Sequence, residues 1–409
     1  MASIALINPP SPFLISDSVM PPLGLMYLSS YLKEHGQRPK IIDLAVNHIN
    51  HTEIKGFDIY AITSTTPQSL EAIKILKGLK KKYQDSLFVI GGAHAMAFGE
   101  ECKNDGFDCI VSGEGEEVLL SLSKFVENGK RNNSKICGVI KSKQIDDIDS
   151  IPFPDRSFEG FEKYHYTLNG LKTTTMITSR GCPFNCYFCC KTWKGVRLRS
   201  AKNVIEEAKT IRDMGFKGLM FYDDTFTINR QRVIEIAKEL KELDLIWRCF
   251  IHASTVDSNL LRIMKDCGCV EVGMGVESGN NEILKTVNKK IDLERAIEVC
   301  NWCHEIGLRV KTFLMIGLPG ESKETVKDTI NFLQKAKPDD YDITIYTPFP
   351  ETEIWKNTEN FDIRFDKINL DYGKMFYKGK YGQYTAQIST SHLSSAEIEI
   401  CRDYIESLK

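Results

Sequence analysis

The sequence predicts an α/β protein with two successive parallel sheets. Short apolar runs alternate with longer amphipathic segments, the pattern of strands that feed crossover helices. The alternation has a longer period after Leu171 than before the polar stretch that contains Pro152 and Pro154. These observations predict an N-terminal flavodoxin-like, doubly wound parallel sheet, followed by a partial (β/α)6 TIM barrel and a short C-terminal tail.

The same shifts in pattern suggest where the chain divides. We expect a Rossmann-type domain over residues 1–140, a linker over 141–170, the barrel over 171–364 and a C-terminal segment over 365–409.

Five short apolar runs form the predicted N-terminal sheet. We expect its strands at 3–7, 39–44, 58–63, 87–91 and 108–112. Helices are expected at 23–35, entered through prolines and closed by Gly36, and at 68–83, entered through Pro67. The polar stretch that follows has room for a short hairpin before Pro152.

Six further runs form the predicted barrel. We expect strands at 173–178, 218–222, 247–252, 270–275, 309–316 and 341–346. Among the helices between them, Ser200 and Asn229 are expected to cap 201–214 and 230–243, another begins near Asp292, and one covers 322–335. Six βα units are too few for a closed eight-stranded barrel, so we expect an open one.

Composition excludes several classes of protein. Hydrophobic residues make up 42% and charged residues 26%, and the formal net charge of -2 gives no basic footprint for nucleic acid. We find neither a secretory signal pattern nor an apolar run of about 18 residues, and therefore expect no membrane span and a cytoplasmic location.

Thirteen cysteines without a secretory signal argue against a disulfide framework. Most of them are expected to be buried apolar residues. This group comprises Cys102, Cys109, Cys137, Cys249, Cys267, Cys269, Cys300, Cys303 and Cys401.

The remaining four cysteines lie in the segment SRGCPFNCYFCC. Cys182, Cys186 and Cys189 have the spacing C-x3-C-x2-C directly after the first barrel strand. Three thiolates on one loop can ligate three irons of a four-iron cluster and leave the fourth open. A zinc site with Cys190 as fourth ligand is the alternative, although adjacent Cys189 and Cys190 fit one tetrahedral ion poorly.

This segment resembles the signature of radical S-adenosylmethionine (radical SAM) enzymes, C-x3-C-x-aromatic-C, with Phe188 as the aromatic residue. The resemblance implies a 4Fe-4S cluster on Cys182, Cys186 and Cys189 whose open iron binds SAM. It also implies an external one-electron reductant and cleavage of SAM to methionine and a 5′-deoxyadenosyl radical.

Further stretches match the family at strand ends. By this resemblance Asp223 and Asp224 of FYDDTF would accept hydrogen bonds from the SAM amino group, although such a pair also occurs as an ordinary turn or cap. Glu277 and Ser278 of GMGVESGN would lie near the ribose. Gly317 of FLMIGLPGES would belong to the adenine-side strand.

One departure concerns the SAM carboxylate. Related sequences often carry an arginine after the third barrel strand, whereas His252 stands there in this chain. His252 is either a SAM ligand or an ordinary strand-end histidine. Arg199 is a second candidate for the missing charge.

The N-terminal domain carries its own set of candidate loops. LINPPS, TSTTPQS, GGAHA and SGEGEE follow strands one, three, four and five, at the edge where doubly wound sheets bind ligands. Glycines there allow close backbone approach, and the hydroxyl groups suit a phosphate at a helix start. These loops resemble the cobalamin-binding domain of one radical SAM subclass. The resemblance implies contacts from Ser64, Thr65, Thr66, Gly91, Gly92, His94, Gly113 and Glu114.

That subclass usually binds cobalamin without a protein histidine on cobalt, and this chain has no D-x-H-x-x-G stretch. His94 would otherwise be a surface loop histidine, and some relatives keep the fold without using the cofactor.

Together the two resemblances imply a cobalamin-dependent methylase of a small-molecule or lipid-precursor substrate. The alternative is a radical SAM dehydratase, epimerase, cyclase or rearranging enzyme that does not use cobalamin as methyl donor. A non-catalytic redox protein is disfavoured, because an electron carrier needs four protein ligands and has no use for acidic residues around an open iron.

Overall fold

The computed structural model describes residues 1–11, 14, 16–47, 50–129, 138–190, 195–365, 370–374 and 385–409. The chain forms two compact units. The first consists mainly of Met1–Tyr166, and the second mainly of Thr167–Asp371 with the C-terminal residues.

The first unit contains a six-stranded, fully parallel sheet. Its strands are β1 (Ser3–Asn8), β2 (Arg38–Asp43), β3 (Ile59–Thr63), β4 (Leu87–Gly91), β5 (Cys109–Ser112) and β6 (Gly138–Lys141). Their order is β2-β1-β3-β4-β5-β6, which is the flavodoxin order with one strand added. The flavodoxin-like prediction is therefore confirmed.

The sixth strand corrects one detail. Where a hairpin was expected, β6 pairs in parallel with β5 through Cys109 and Gly138. The part of that stretch at residues 130–137 lies outside the described residues.

Helices cover this sheet, and aromatic side chains fill its core. The helices are α1 (Leu23–Glu34), α2 (Ser69–Lys82) and α3 (Glu116–Glu127), with shorter ones at Leu44–Asn47, Ala93–Ala97 and Gly99–Asn104. Tyr60 of β3 stacks on Phe88 of β4 with ring centroids 5.2 Å apart, and both are buried.

The second unit contains six parallel strands in sequential order. They are β7 (Leu171–Met176), β8 (Gly218–Phe221), β9 (Ile246–Ile251), β10 (Cys269–Glu277), β11 (Arg309–Ile316) and β12 (Asp340–Ile345). Thr167–Leu168 adds a short antiparallel strand beside β7. No strand pairing among the described residues joins β7 to β12. The sheet is thus an open half barrel, as expected.

The helices of this unit begin at the caps that the sequence indicates. They are α4 (Ala201–Asp213), α5 (Arg230–Glu242), α6 (Ser258–Asp266), α7 (Leu293–Glu305), α8 (Lys323–Ala336) and α9 (Ser395–Glu406), with short ones at Asn281–Thr286 and Glu353–Lys356. Side chains of Ser200, Asn229, Asp292 and Ser322 accept hydrogen bonds from the first turns of their helices.

The two faces of the half barrel differ. Along β9 and β11, alternate residues such as Cys249 and Val310 are fully buried, whereas the residues between them, such as Phe250 and Phe313, are only partly buried. The partly buried face carries the charged and aromatic side chains described below.

Seven of the nine cysteines expected in the core are indeed buried: Cys102, Cys109, Cys249, Cys267, Cys269, Cys300 and Cys303. Cys401 is only half-buried, and Cys137 lies outside the described residues. Within the described part of the chain, every helix is too short or too polar to cross a bilayer.

Candidate functional site

The cysteine loop follows β7 and is held by backbone contacts to distant parts of the second unit. The Tyr187 amide donates to the Val287 carbonyl over 2.9 Å, and the Ile354 amide donates to the Tyr187 carbonyl over 3.3 Å. The Asn288 side chain also donates to the Asn185 carbonyl over 2.7 Å. The loop is not helical and therefore lacks a regular set of backbone hydrogen bonds. These bonds to two distant segments satisfy part of its backbone and hold it in place.

The three thiols of the C-x3-C-x2-C motif interact with one another. Cys186 is buried, Cys182 is half-buried and Cys189 is exposed. A hydrogen bond from the Cys189 thiol lowers the pKa of Cys186 to about 7, while the same bond raises the pKa of Cys189. Burial raises the pKa of Cys182, and the nearby carboxyl of Asp224 raises it further. Phe188 is half-buried within this loop.

This donor set fits a cluster. Thiolates are the ligands that iron–sulfur clusters take, and the lowered pKa of Cys186 makes its thiolate more accessible than that of an ordinary cysteine. In the described part of the chain, no group of three His, Cys, Asp or Glu residues could hold a single metal ion. Thiolates that ligate different irons of one cluster do not need to converge on one point.

Asp223 and Asp224 lie beside the loop in different environments. Asp223 is 1% exposed, and its Oδ1 accepts hydrogen bonds from the Thr178 amide and hydroxyl and from the Ser179 hydroxyl. Burial raises the pKa of Asp223, whereas the hydrogen bond from Ser179 and the positive charge of Arg232 act to lower it. Asp224 is exposed and acts on Cys182, and its carboxyl has no hydrogen-bond partner among the residues that the structure describes. Asp223 therefore orders the start of the loop, while Asp224 is open to a ligand.

Glu277 lies at the end of β10 in a strained conformation. Its φ is +75°, a region that non-glycine residues rarely occupy, and the register with β11 shifts at this point. Its Oε1 lies 3.0 Å from Nζ of Lys289. A Cβ at Gly275 would collide with the Glu277 carboxylate and lie 3.2 Å from the Lys289 amine. The bare backbone of Gly275 thus makes room for this ion pair.

The next two residues turn the chain at the strand end, and the second of them packs against α8. Ser278 is fully buried, and its hydroxyl accepts from the Asn280 amide over 3.2 Å. The Gly279 amide donates to the Thr329 hydroxyl over 3.0 Å, and a Cβ at Gly279 would collide with the α8 backbone. Close packing against α8 therefore explains why a glycine occupies position 279.

His252 is buried at the end of β9, against the cysteine loop. Its ring stacks on Phe184 with centroids 3.8 Å apart, and its Nδ1 lies 2.8 Å from the Ser254 hydroxyl. Its Nε2 is buried without a hydrogen-bond partner in the described residues. Burial, and after it the charge of Lys289, lowers the pKa of His252 to about 4, so the ring is neutral near pH 7.

Arg199 is engaged elsewhere. Its guanidinium is buried, pairs with Glu207 over 2.5 Å and donates to the Ile177 carbonyl over 2.8 Å. These bonds connect α4 to the end of β7 and give Arg199 a structural role.

Gly317 lies in a turn that a buried carboxyl closes. Its φ is +92°, and its amide donates to Oε2 of Glu321 over 3.0 Å. Thr325 donates to the other oxygen over 3.2 Å. Burial raises the pKa of Glu321 to about 7.

An aromatic ladder lies on the partly buried face of the half barrel; it consists of Tyr222, Phe250 and Phe313. Ring centroids are 5.9 Å apart for Tyr222 and Phe250, and 5.7 Å apart for Phe250 and Phe313. Tyr222 is 49% exposed. A Cβ at Gly273 would lie 2.8 Å from the Phe250 ring, so this glycine allows the rings to cover β10.

In the first unit, the loops after β3 and β4 are bonded together. The Ser64 amide donates to the Gly91 carbonyl over 3.0 Å, and the His94 amide donates to the Ser64 carbonyl over 2.9 Å. Gly92 is exposed with φ +92°, and a Cβ there would lie 2.9 Å from the Thr63 hydroxyl. This exposed, bare backbone at the sheet edge fits the close approach of a large cofactor such as cobalamin.

The hydroxyl groups expected to bind a phosphate mostly have internal partners. Ser64 donates to the Thr65 carbonyl over 2.7 Å, and Thr65 donates to Gln68 Oε1 over 2.8 Å within a capping box. Thr66 is buried. Gln68 also donates to the Pro9 carbonyl over 3.1 Å, which connects the β1 and β3 loops.

His94, Gly113 and Glu114 complete this edge. His94 is buried against Phe98, with ring centroids 5.0 Å apart, so the description as a surface loop histidine was wrong. Burial lowers its pKa to about 4. Gly113 has φ +124°, and Glu114 is buried and accepts from the Ile145 amide over 2.5 Å.

Sequence reasoning missed Lys289. It stands in a run of two lysines, NKKID, and no local signal separates it from exposed Lys290.

Comparisons with known proteins cover both units. The family model of the radical SAM superfamily matches residues 176–333, and that of the B12 binding domain matches residues 16–123. The uncharacterized methyltransferase PH0819 of Pyrococcus horikoshii is 32% identical over 385 residues, which span 86% of this chain and 82% of the relative.

A second relative and a solved structure extend this likeness. The anaerobic magnesium-protoporphyrin IX monomethyl ester cyclase of Rubrivivax gelatinosus is 28% identical, over 86% of this chain and 69% of its own. The radical SAM methyltransferase TsrM of Kitasatospora setae, solved with cobalamin and a [4Fe-4S] cluster, has a TM-score of 0.76 at 17% identity. The match covers 90% of this chain and 82% of TsrM and shows a shared fold.

Proposed function

The chain belongs to the radical SAM superfamily and carries a B12 binding domain before the barrel, and from this we propose that it is a cobalamin-dependent methylase. One observation carries the proposal: a cysteine loop on a half barrel and a B12 binding domain occur in the same chain. The similarity to a protein named as a methyltransferase supports methyl transfer over the alternative radical outcomes. The cyclase among the relatives keeps that alternative as an outcome of the test.

In this proposal the cysteine loop holds the iron–sulfur cluster through Cys182, Cys186 and Cys189. When bound, the cluster supplies the electron that cleaves SAM, and cobalamin supplies a carrier for the methyl group. Asp223 holds the start of the loop from behind. Asp224, whose carboxyl is open, is the better candidate of the two to accept from the SAM amino group.

Other side chains would position SAM from neighbouring strand ends. Glu277 accepts hydrogen bonds, which suits the ribose hydroxyls, and Phe188 lies within the cysteine loop. Ser278 and Gly317 act through the backbone they shape, because the Ser278 hydroxyl accepts from Asn280 and the Gly317 amide binds Glu321.

In the B12 binding domain, Gly91 and Gly92 would admit the cofactor by backbone approach. The remaining predicted residues would stabilise the loops at this edge, since most of their described hydrogen bonds are to other residues of the first unit. These are Ser64, Thr65, Thr66, His94, Gly113 and Glu114.

We propose a small-molecule or lipid-precursor substrate with an apolar body. The aromatic ladder of Tyr222, Phe250 and Phe313 offers partly exposed rings on the face of the half barrel away from the buried core. Radical SAM enzymes also need a reductant, for which we propose an external one-electron donor. The thiolate ligands favour a reducing compartment, so we place the protein in the cytoplasm.

The test needs no knowledge of the substrate. The protein is reconstituted anaerobically with iron, sulfide and hydroxocobalamin, then incubated with SAM and a strong reductant. We expect about four irons and one cobalt per chain. We also expect 5′-deoxyadenosine together with S-adenosylhomocysteine, which is SAM without its methyl group.

A matched sample reconstituted without cobalamin is the control. It should still form 5′-deoxyadenosine but lose S-adenosylhomocysteine. Equal S-adenosylhomocysteine in both samples, or none in either, would contradict the methylase proposal and favour a dehydratase, epimerase, cyclase or rearranging enzyme.

A further inference from the structure

Lys289 lies where three elements of the second unit meet. It follows the helix Asn281–Thr286, and its amide donates to the Leu284 carbonyl over 2.8 Å. Its side chain is only 10% exposed, and its Nζ lies 3.0 Å from Oε1 of Glu277 at the end of β10. Removing a charged amine from water costs free energy, so the groups that surround the Lys289 amine must compensate for this cost.

The two residues before Lys289 bond to the cysteine loop on either side of Cys186: the Val287 carbonyl accepts from the Tyr187 amide over 2.9 Å, and the Asn288 side chain donates to the Asn185 carbonyl over 2.7 Å. Burial lowers the pKa of Lys289, but Glu277 and the thiols of Cys186 and Cys189 together raise it above its ordinary value. The amine is therefore charged near neutral pH. Lys289 also lowers the pKa of His252, at the end of β9. One fixed positive charge thus serves the cysteine loop, the end of β9 and the end of β10.

An exposed ion pair on the neighbouring helix provides a comparison for the pair of Lys289 and Glu277. Lys285 and Glu282 pair over 2.6 Å on the helix Asn281–Thr286, with side chains 72% and 79% exposed. Such a pair contributes little because water screens it. Lys289 and Glu277 are 10% and 14% exposed, so their charges act more strongly on their surroundings.

We propose that Lys289 is a positioning residue with two tasks: it holds the strained Glu277 carboxylate in place, and it sets a fixed positive charge beside the two cluster ligands Cys186 and Cys189. Reduction of the cluster by an external one-electron donor adds one negative charge. A nearby positive charge stabilises that reduced form and raises the reduction potential of the cluster. The inference rests on the proposed cluster site but not on methyl transfer.

The test is a potentiometric titration of the reconstituted cluster, followed by electron paramagnetic resonance without substrate. We expect Lys289→Met to lower the ratio of reduced to oxidised cluster at a fixed potential about tenfold, which is 59 mV for a one-electron couple. Lys289→Arg should restore most of the reduced fraction because it keeps the charge. Lys285→Met is the matched control and should titrate like the unaltered protein.

A second variant separates charge from packing. Glu277→Gln removes the negative partner and keeps the lysine, so we expect the reduced fraction at the same potential to rise. If Lys289 only supports the loop mechanically, Lys289→Met and Glu277→Gln should shift the potential in the same direction. That result, or an unshifted Lys289→Met cluster, would overturn the proposal. Iron loss from Lys289→Met would leave the direction of the Glu277→Gln shift to decide.

The readout is independent of the proposed methylase activity. Failure to form S-adenosylhomocysteine, with the potentials shifted as expected, would reject the methylase and keep the role of Lys289.

Discussion

The two candidate ligand edges of this protein, one in each unit, lie at the carboxyl ends of parallel strands but are built differently. The edge of the first unit is mainly backbone: Gly92 is bare and exposed, and the hydroxyls of Ser64 and Thr65 bond internally. The edge of the half barrel gathers charged and titratable side chains, such as Glu277 and Lys289. With the proposed cofactors bound, the first edge would select its ligand by shape, and the second by charge and metal ligation.

The largest effect should come from the metal ligands of the charged edge. We expect Cys186→Ala to lose the cluster and to abolish SAM cleavage, because the cluster would then lack one of its three proposed protein ligands. Iron analysis and 5′-deoxyadenosine formation measure this. Cys190→Ala is the control, and a similar loss in that variant would mean that four cysteines ligate the metal, as in the zinc alternative.

The corresponding change at the backbone edge is Gly92→Ala. Its Cβ would lie 2.9 Å from the Thr63 hydroxyl and 3.0 Å from the Ser64 carbonyl, at a φ of +92°. We expect reduced cobalt retention after reconstitution, with four irons and SAM cleavage preserved. Gly24→Ala, where a Cβ would meet nothing within 4 Å, should retain cobalt normally. Full cobalt retention in Gly92→Ala would contradict selection by close backbone approach.

A pH-dependent effect is expected at Glu321. Burial raises its pKa to about 7 in the folded protein, so the protonated form favours folding, and this contribution is lost as pH rises from about 4.5 through 7. Between pH 5 and pH 8 we expect the unfolding free energy to fall by about 2 kcal/mol relative to Glu321→Gln. Thermal unfolding of both proteins across this range provides the measurement. Parallel pH profiles would show that Glu321 is ionised throughout.

The smallest effects should distinguish the adjacent aspartates. Asp223→Ala removes the acceptor of three hydrogen bonds from Thr178 and Ser179 at a buried position, so we expect a loss of about 2 kcal/mol in stability. Asp224→Asn should change stability by less than about 0.5 kcal/mol but weaken SAM binding. Denaturation and equilibrium binding of SAM measure the two effects. The reverse pattern would make Asp223 the ligand.

Local sequence signals determined most of the fold. Apolar runs place eleven of the twelve numbered strands to within a few residues, and caps such as Ser200 and Asn229 place the starts of the helices that follow them, because periodicity and first-turn hydrogen bonds depend on near neighbours. The exception is β6, which was expected as a hairpin. A strand of only four residues carries little local information about its partner. Which sheet edge it pairs with depends on the tertiary fold.

The chemistry of the cluster was equally local. C-x3-C-x2-C places three thiols on one loop whatever surrounds it, and the resemblance to a known signature rests on the same residues. The environments of the other site residues were not local. Asp223 and Asp224 are neighbours in sequence, but only the fold shows that the first is buried behind the cysteine loop and the second is open.

The sequence by itself determined the two α/β architectures and the family, and it placed the three cysteines of the motif on one loop. Only the tertiary structure decided which of two adjacent lysines is half-buried: Lys289 pairs with Glu277, whereas Lys290 is exposed. It also decided that His94 is buried and that Arg199 is engaged with Glu207. The physical reason is that burial and electrostatic partners depend on segments brought together from distant parts of the chain, and no local pattern encodes that meeting.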